Sequence, residues 1–480
     1  MMRLLRRSLP SLALGLLVGA SACTHVPVAQ PVGRPEAPIG PRVRLQATLP
    51  PGMPGTGTAV AIAFTPEEVQ AGLPQDLARW GELLARAQVA RGVEAEDGVL
   101  TVDVAVPARP AVVRLVFDSV GLGLDALFDA RPGLASAMVS VPEQDALPLA
   151  ALAGEPYAPP PEACVGERET LVVIDAPETR RPGDDGQRPV CVRVPPSYAS
   201  APERRYPVIF IFPGFSGWHA SNNTWRQRAL LEAVGAELGV EAILVGVSTR
   251  TAEGTSYLED APGFGDWDRY ASQHLVQELD ARFRTLPRRA TVGHSTGGWN
   301  ALSLALRHPD VFLAAAASSP DALDLDVWLL APGEPQVMRP EWLAWTRVEA
   351  ALGGRGQMTS YGAAWSPDPA AQGGFQWPVD LATGALRPDV YARWRARSPR
   401  AGLETEAGRA AARRLSGHLL ITAGSKDEFG LFAPAASYVE AARAAGVDVT
   451  WLPTELGHFG GDEARFTPIA RFLYTQLRAE

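Results

Sequence analysis

Apolar residues in the second half of the chain fall in short, nearly unbroken runs, separated by stretches in which they recur every three or four positions. The runs at 206–212, 241–248, 312–317, 419–423 and 447–452 read as buried strands, and the stretches at 225–238, 270–283, 435–445 and 468–477 as amphipathic helices. Strands alternating with helices imply a mostly parallel sheet covered on both faces. The active groups of such a sheet are expected beyond the carboxyl ends of its strands. Just upstream, 169–174 and 189–194 predict an antiparallel pair joined by the Gly/Asp/Pro loop 177–188.

The first half is patterned differently. Runs at 43–47, 59–64, 100–106 and 112–117 are short, alternating or β-branched, and predict the strands of a small sandwich, with a helix over 77–89 between the second and third. Pro156, Pro159, Pro160 and Pro161 mark a boundary, giving a β-rich domain at 42–160 and an α/β domain at 161–480. The β-rich segment holds no catalytic constellation, so binding, spacing and plain structural support all stay open for it. Within the α/β domain, 321–402 is a long insertion between two sheet strands carrying six of the twelve tryptophans: Trp328, Trp342, Trp345, Trp365, Trp377 and Trp394. A cap over the active site is expected there, its tryptophans either lining an acyl or sugar pocket or filling an irregular core.

The first 23 residues follow another rule. Arg3, Arg6 and Arg7 precede an apolar run at 9–18 and then Gly19-Ala20-Ser21-Ala22-Cys23, the three regions of a secretory signal, too short to span a bilayer as a helix. Cys23 after small residues resembles the bacterial lipoprotein box, with Ala20 where leucine is usual; the alternative is a plain signal peptide cut nearby. Lipidation at Cys23 would tie the protein to a membrane, and Thr24, in place of an inner-membrane retention aspartate, favours the outer membrane, facing periplasm or cell surface. Residues 24–41 are Pro- and Gly-rich without periodicity, as suits a tether. With Cys23 so used, Cys164 and Cys191 remain of the three cysteines, and in an exported chain an even remainder suggests a disulfide, against the alternative of two buried thiols. A formal charge of −9 argues against nucleic acid as a partner, which needs a basic face.

The chemistry concentrates at Gly293-His294-Ser295-Thr296-Gly297, a G-x-S-x-G pattern between a strand and an apolar helix. In that pattern a strained turn lifts the serine hydroxyl above the sheet edge, making Ser295 the candidate nucleophile. The first N–H groups of the following helix are unpaired, so Thr296 N–H can face a developing oxyanion. A serine hydroxyl needs an imidazole to take its proton and a carboxylate to hold that imidazole. His458, in the glycine-rich loop after strand 447–452, is the candidate base, with His294 placed as a buttress of the turn and His219 as a substrate contact. Asp427 and Glu428 follow strand 419–423; Asp427 is preferred as the acid, with Glu428 open. Phe215 N–H, in the loop after strand 206–212, is the second oxyanion donor expected.

From about 165 to the end the chain resembles the putative-esterase family of α/β-hydrolases, which includes esterase D, enterochelin esterases, feruloyl and acetylxylan esterases and mycolyltransferases. The resemblance rests on Val192-Arg193-Val194-Pro195-Pro196-Ser197-Tyr198, 205–210, Pro213-Gly214-Phe215, the elbow at 293–298, 424–427 and Gly457-His458. Family members carry histidine where this chain has Pro213, which puts the shape of the oxyanion loop in question. The resemblance implies an α/β-hydrolase fold, a serine carboxylic-ester hydrolase working through an acyl-enzyme on a small-molecule or glycan-linked ester, and no metal or organic cofactor. An acyltransferase would use the same residues, and a catalytically idle surface-anchored binding protein would need none of them.

Overall fold

The computed structural model describes residues 30–31, 41–71, 77–119, 134–142, 149–154, 164, 166–181, 184–219, 222–353 and 356–478. Cys23, the signal segment and most of the expected tether lie outside these. Among the described residues no helix is long and apolar enough to cross a membrane.

The chain divides into two compact units. The first holds a six-stranded sheet whose central strands are Thr56–Phe64, Ala111–Asp118 and Leu134–Val141, and a three-stranded sheet built on Arg42–Thr48 and Val99–Ala105. Alternate residues of both sheets, such as Val43, Leu45, Leu100, Val102, Val113 and Leu115, close on one core, because side chains two apart along a strand share a face. The helix expected over 77–89 ends early. It spans Leu77–Leu84, and Gln88–Glu94 is instead a strand on Thr56–Phe64, pairing Val89 with Val60. Apolar residues at 83, 84, 87 and 90 fit a helical face, but Ala90 and Val93 line the sheet core, and sheet pairing decided between them.

The second unit is built on an eight-stranded sheet: β1 (Glu169–Asp175), β2 (Gln187–Arg193), β3 (Tyr206–Phe212), β4 (Ile243–Val247), β5 (Thr285–His294), β6 (Ala314–Ser318), β7 (Leu419–Gly424) and β8 (Val449–Thr454). The order across it is β1-β2-β4-β3-β5-β6-β7-β8, antiparallel from β1 to β4 and parallel from there on. The strand order reverses between β3 and β4, so β3 and β5 are neighbours at the centre, and their carboxyl ends open the crevice where a ligand is expected. Helices α1 (Asn222–Leu238) and α5 (Asp462–Leu477) cover one face, packing Leu231, Phe466, Ile469 and Leu473 on Ile209, Ile211, Ala290, Val292 and Ala316. Helix α3 (Thr296–Arg307) leaves β5 directly, and α2 (Leu275–Arg282) and α4 (Phe432–Ala444) complete the helical layers. Cys164 is joined to Cys191 on β2, with the Cα atoms 5.6 Å apart.

Two expectations change. The last helix starts six residues before Pro468: Asp462 and Glu463 suit its positive N-terminal end, and buried Arg465 and Phe466 already belong to its inward face. Insertion 321–402 is not one cap. Residues 338–359 and 380–384 group with the β-rich unit, where helix Pro340–Leu352 carries Trp342 and Trp345 inward. Trp328, Trp365 and Trp394 are buried in the α/β unit around Tyr361, which stacks on Trp365 at 4.0 Å between ring centres, so these three fill a core, while Trp377 is half-buried against Phe375.

Candidate active site

Ser295 stands at the junction of β5 and α3 with φ 59° and ψ −130°, a conformation disfavoured for any residue with a Cβ. The glycines around it make this turn possible. A Cβ on Gly293 would lie 2.2 Å from the Gly297 carbonyl carbon, and one on Gly297 would lie 2.1 Å from the Phe212 carbonyl oxygen. The turn is secured by Ser295 N–H donating to the Ser318 carbonyl at 2.9 Å and by Asp321 N–H donating to the Ser295 carbonyl at 3.0 Å. The Ser295 hydroxyl is half-buried and hydrogen-bonded to nothing among the described residues.

Strain gathers at this edge of the sheet. Ser216 follows β3, Tyr257 and Leu258 lie beyond β4, Ser295 follows β5 and Ser319 follows β6, and all five have positive φ without being glycine. Each such residue costs about 1–3 kcal/mol and persists only where its surroundings hold it, which is why such positions cluster at functional sites.

The loops after β7 and β8 bring the expected acid and base together. Asp427 Oδ2 lies 2.8 Å from His458 Nδ1, and both side chains are almost completely buried. Burial alone would raise the Asp427 carboxyl; the charge and hydrogen bond of His458 and the Phe429 N–H outweigh it and hold it below the usual carboxylate range. The His458 ring packs against Phe429 at 4.8 Å, Phe459 at 4.9 Å and His294 at 4.7 Å between centres, and its Nε2 has no hydrogen bond among the described residues. With Nδ1–H donated to the carboxylate, Nε2 is the basic nitrogen. Glu428 is not idle beside Asp427: its Oε2 accepts the backbone N–H of His458.

The loop after β3 abuts the elbow, since a Cβ on Gly214 would come 3.8 Å from Ser295 Cβ. After Pro213 the loop closes as a turn in which Gly217 N–H donates to the Gly214 carbonyl at 2.9 Å. The N–H groups of Phe215 and Thr296 have no protein partner among the described residues, as oxyanion donors require.

Four of the other histidines are engaged elsewhere. His294 bonds Ser318 Oγ at 3.1 Å, and burial, with His458 and Arg465 alongside, holds its imidazole well below the ordinary range, so it stays neutral. His274, His308 and His418 bond Glu178, Asp268 and Gln476. His219 is buried, both its ring nitrogens are unbonded among the described residues, and burial together with Arg228 pushes it down to about 4. His25 lies outside the described residues.

Sequence reasoning missed Asp321 and Tyr257. Asp321 Oδ2 accepts from Tyr257 Oη at 2.8 Å and Thr296 Oγ1 at 3.2 Å, tying the start of α3 to a buried aromatic group in which Tyr257 meets Trp299 edge-on. The available signal was position: Asp321 follows β6 at the same edge of the sheet. Among the described residues the one cluster of possible metal ligands is Cys164, Glu169 and Cys191, whose two sulfurs are taken by the disulfide.

Residues 185–377 match the family model for putative esterases, a span that includes the loop after β3 and the elbow and ends before Asp427 and His458. No curated protein matches. Among solved structures the chain is similar to a ferulic acid esterase (17% identity over 64% of this chain and 97% of the other, TM-score 0.43). It is also similar to an S-formylglutathione hydrolase from Agrobacterium tumefaciens (15%, 65% and 95%, TM-score 0.41). A third is MPT51 from Mycobacterium tuberculosis (16%, 64% and 100%, TM-score 0.38).

Proposed function

We propose that this chain, a serine esterase whose α/β-hydrolase unit carries a putative esterase domain, cleaves carboxylic esters through an acyl-enzyme on Ser295. The observation that carries the proposal is the buried Asp427–His458 pair, 2.8 Å apart, at the same sheet edge as an elbow serine whose hydroxyl has no partner among the described residues. Ser295 Oγ attacks the acyl carbon and its proton passes to His458 Nε2, while Asp427 fixes the tautomer and stabilises the imidazolium. The tetrahedral oxygen is held by the N–H groups of Thr296 and Phe215. Collapse expels the alcohol, which takes the proton from Nε2. Water then repeats the sequence on the acyl-enzyme and releases the acid.

Small-molecule and glycan-linked esters are the substrate classes that fit this reading. Phe459, 46% exposed beside His458, offers an apolar surface for them. We further read the chain as exported and lipid-anchored through Cys23, at the outer membrane. The Cys164–Cys191 bond supports export, since such bonds persist in oxidising compartments.

The test is turnover of aryl, feruloyl and acetyl-sugar esters by wild type and Ser295→Ala. Ester cleavage that disappears in the variant supports the reading, and cleavage that survives it places the chemistry elsewhere.

A further inference from the structure

The base sits on a loop that has little to hold it by sequence alone. Gly457-His458-Phe459-Gly460-Gly461 carries two glycines at positive φ, 78° at Gly460 and 66° at Gly461, and Phe459 and Gly460 are exposed. Glycine gives the chain its greatest freedom, so such a loop left to itself samples many arrangements. A catalytic base, however, must be held to within about 0.5 Å of its working position.

Two charged side chains from different elements meet this loop. From the loop after β7, Glu428 Oε2 accepts the His458 backbone N–H. The carboxylate lies so close that a Cβ on Gly457 would come 2.8 Å from Glu428 Oε1. From α5, the buried guanidinium of Arg465 donates through Nε to the Gly460 carbonyl at 2.9 Å, through Nη2 to the Gly457 carbonyl, and through Nη1 to Ser319 Oγ at 3.2 Å. One planar fork therefore bridges the carbonyls on both sides of His458 and fastens them to the strained residue after β6. Arginine can do this because its donors are fixed in one plane; lysine offers a single point charge.

Resting on the esterase reading above, we propose that Glu428 and Arg465 are positioning residues that clamp the base loop. Asp427 grips the imidazole and its neighbour Glu428 grips the backbone of the same residue. Holding His458 at two points from one rigid strand end fixes the ring relative to its own main chain. Arg465 closes the clamp from α5, and its positive charge stands near both carboxylates. Besides these three groups, the neutral His294 is the titratable side chain against the His458 ring. Neither Glu428 nor Arg465 touches the reacting atoms.

The clamp is tested by Glu428→Ala, Glu428→Gln and Arg465→Lys on one aryl ester, with Ser295→Ala alongside and hydrogen exchange read on a peptide spanning the base loop. Glu428→Ala and Arg465→Lys are expected to lower kcat about 100-fold, the cost of misplacing a catalytic group by about 1 Å, with KM nearly unchanged. Glu428→Gln keeps an acceptor oxygen for the His458 N–H and should hold kcat within about threefold of wild type. Exchange at the loop should speed up in Glu428→Ala and Arg465→Lys, stay slow in Glu428→Gln, and be unchanged in the central strands. Wild-type kcat in Glu428→Ala, equal losses in the Ala and Gln variants, or no change in loop exchange would each overturn the clamp. Turnover surviving Ser295→Ala would overturn the esterase reading instead, and loop exchange, which needs no substrate, would still decide the clamp.

Discussion

Replacing Asp427 with Asn keeps the shape of the acid and removes its charge, which isolates what the carboxylate does for His458. The pair is 2.8 Å apart, with side chains 0% and 3% exposed, so solvent screens it little. Two unit charges with centres about 4 Å apart attract by about 4 kcal/mol at an effective dielectric near 20. The imidazolium exists only while Ser295 is being attacked or the alcohol is leaving, so most of this is felt in the transition state, equivalent to about 10³ in rate. The amide also permits the wrong tautomer, because its NH₂ can donate to Nδ1 and leave the proton on Nε2, carrying the expected loss toward about 10⁴. The assay is kcat and KM for an aryl ester at neutral pH, with circular dichroism and the unfolding midpoint as fold controls. A folded Asp427→Asn enzyme retaining more than about a tenth of wild-type kcat would refute this assignment, since even one pKa unit of charge stabilisation corresponds to tenfold.

Ser295→Ala should abolish ester cleavage without loss of fold, as judged by turnover and the urea midpoint; turnover above a few per cent of wild type would move the nucleophile. His458→Ala should be nearly as severe, while His219→Ala should cost little, a ranking that kcat measurements on both variants would check. Reducing the Cys164–Cys191 bond, which closes a separation of 27 residues, should destabilise by about 3–4 kcal/mol on the chain-entropy model, visible as a lower denaturant midpoint in a thiol reductant. Glu349 is fully buried and burial pushes its carboxyl up to about 7, although Thr359, Met358 and Trp345 donate to it. Because the folded state holds this proton more tightly than the unfolded chain, its contribution is fully present below about pH 4.5 and is lost as pH rises to about 7, a fall of about 3 kcal/mol. Unfolding free energies at pH 4.5 and 7.5 should therefore diverge in wild type and converge in Glu349→Gln; identical pH dependence in both would refute it.

Legibility followed the range of the interaction. The parallel strands and elbow were readable because buried strands announce themselves as apolar runs, as at Tyr206–Phe212, and because the glycine at 293 answers a local steric demand from Gly297, four residues on. The acid and base could be placed at strand ends, since α/β sheets present their chemistry there. The end of helix Leu77–Leu84 was not readable, because its continuation obeys helical and sheet spacing alike until a partner strand is known. Nor could position alone separate Asp427 from Glu428, two carboxylates adjacent in the chain.

The amino-acid sequence by itself determined the sheet-and-helix order, the elbow around Ser295 and the short list of groups able to act with it, since each depends on neighbours within a few residues. Tertiary structure alone decided that Asp427 takes the imidazole while Glu428 takes the backbone, that Arg465 reaches the base loop from the last helix, and that five of the six tryptophans of 321–402 are buried, divided between the two units. Those outcomes depend on where side chains far apart in sequence converge, and hydrophobic periodicity specifies which face of an element turns inward without specifying which distant residue meets it there.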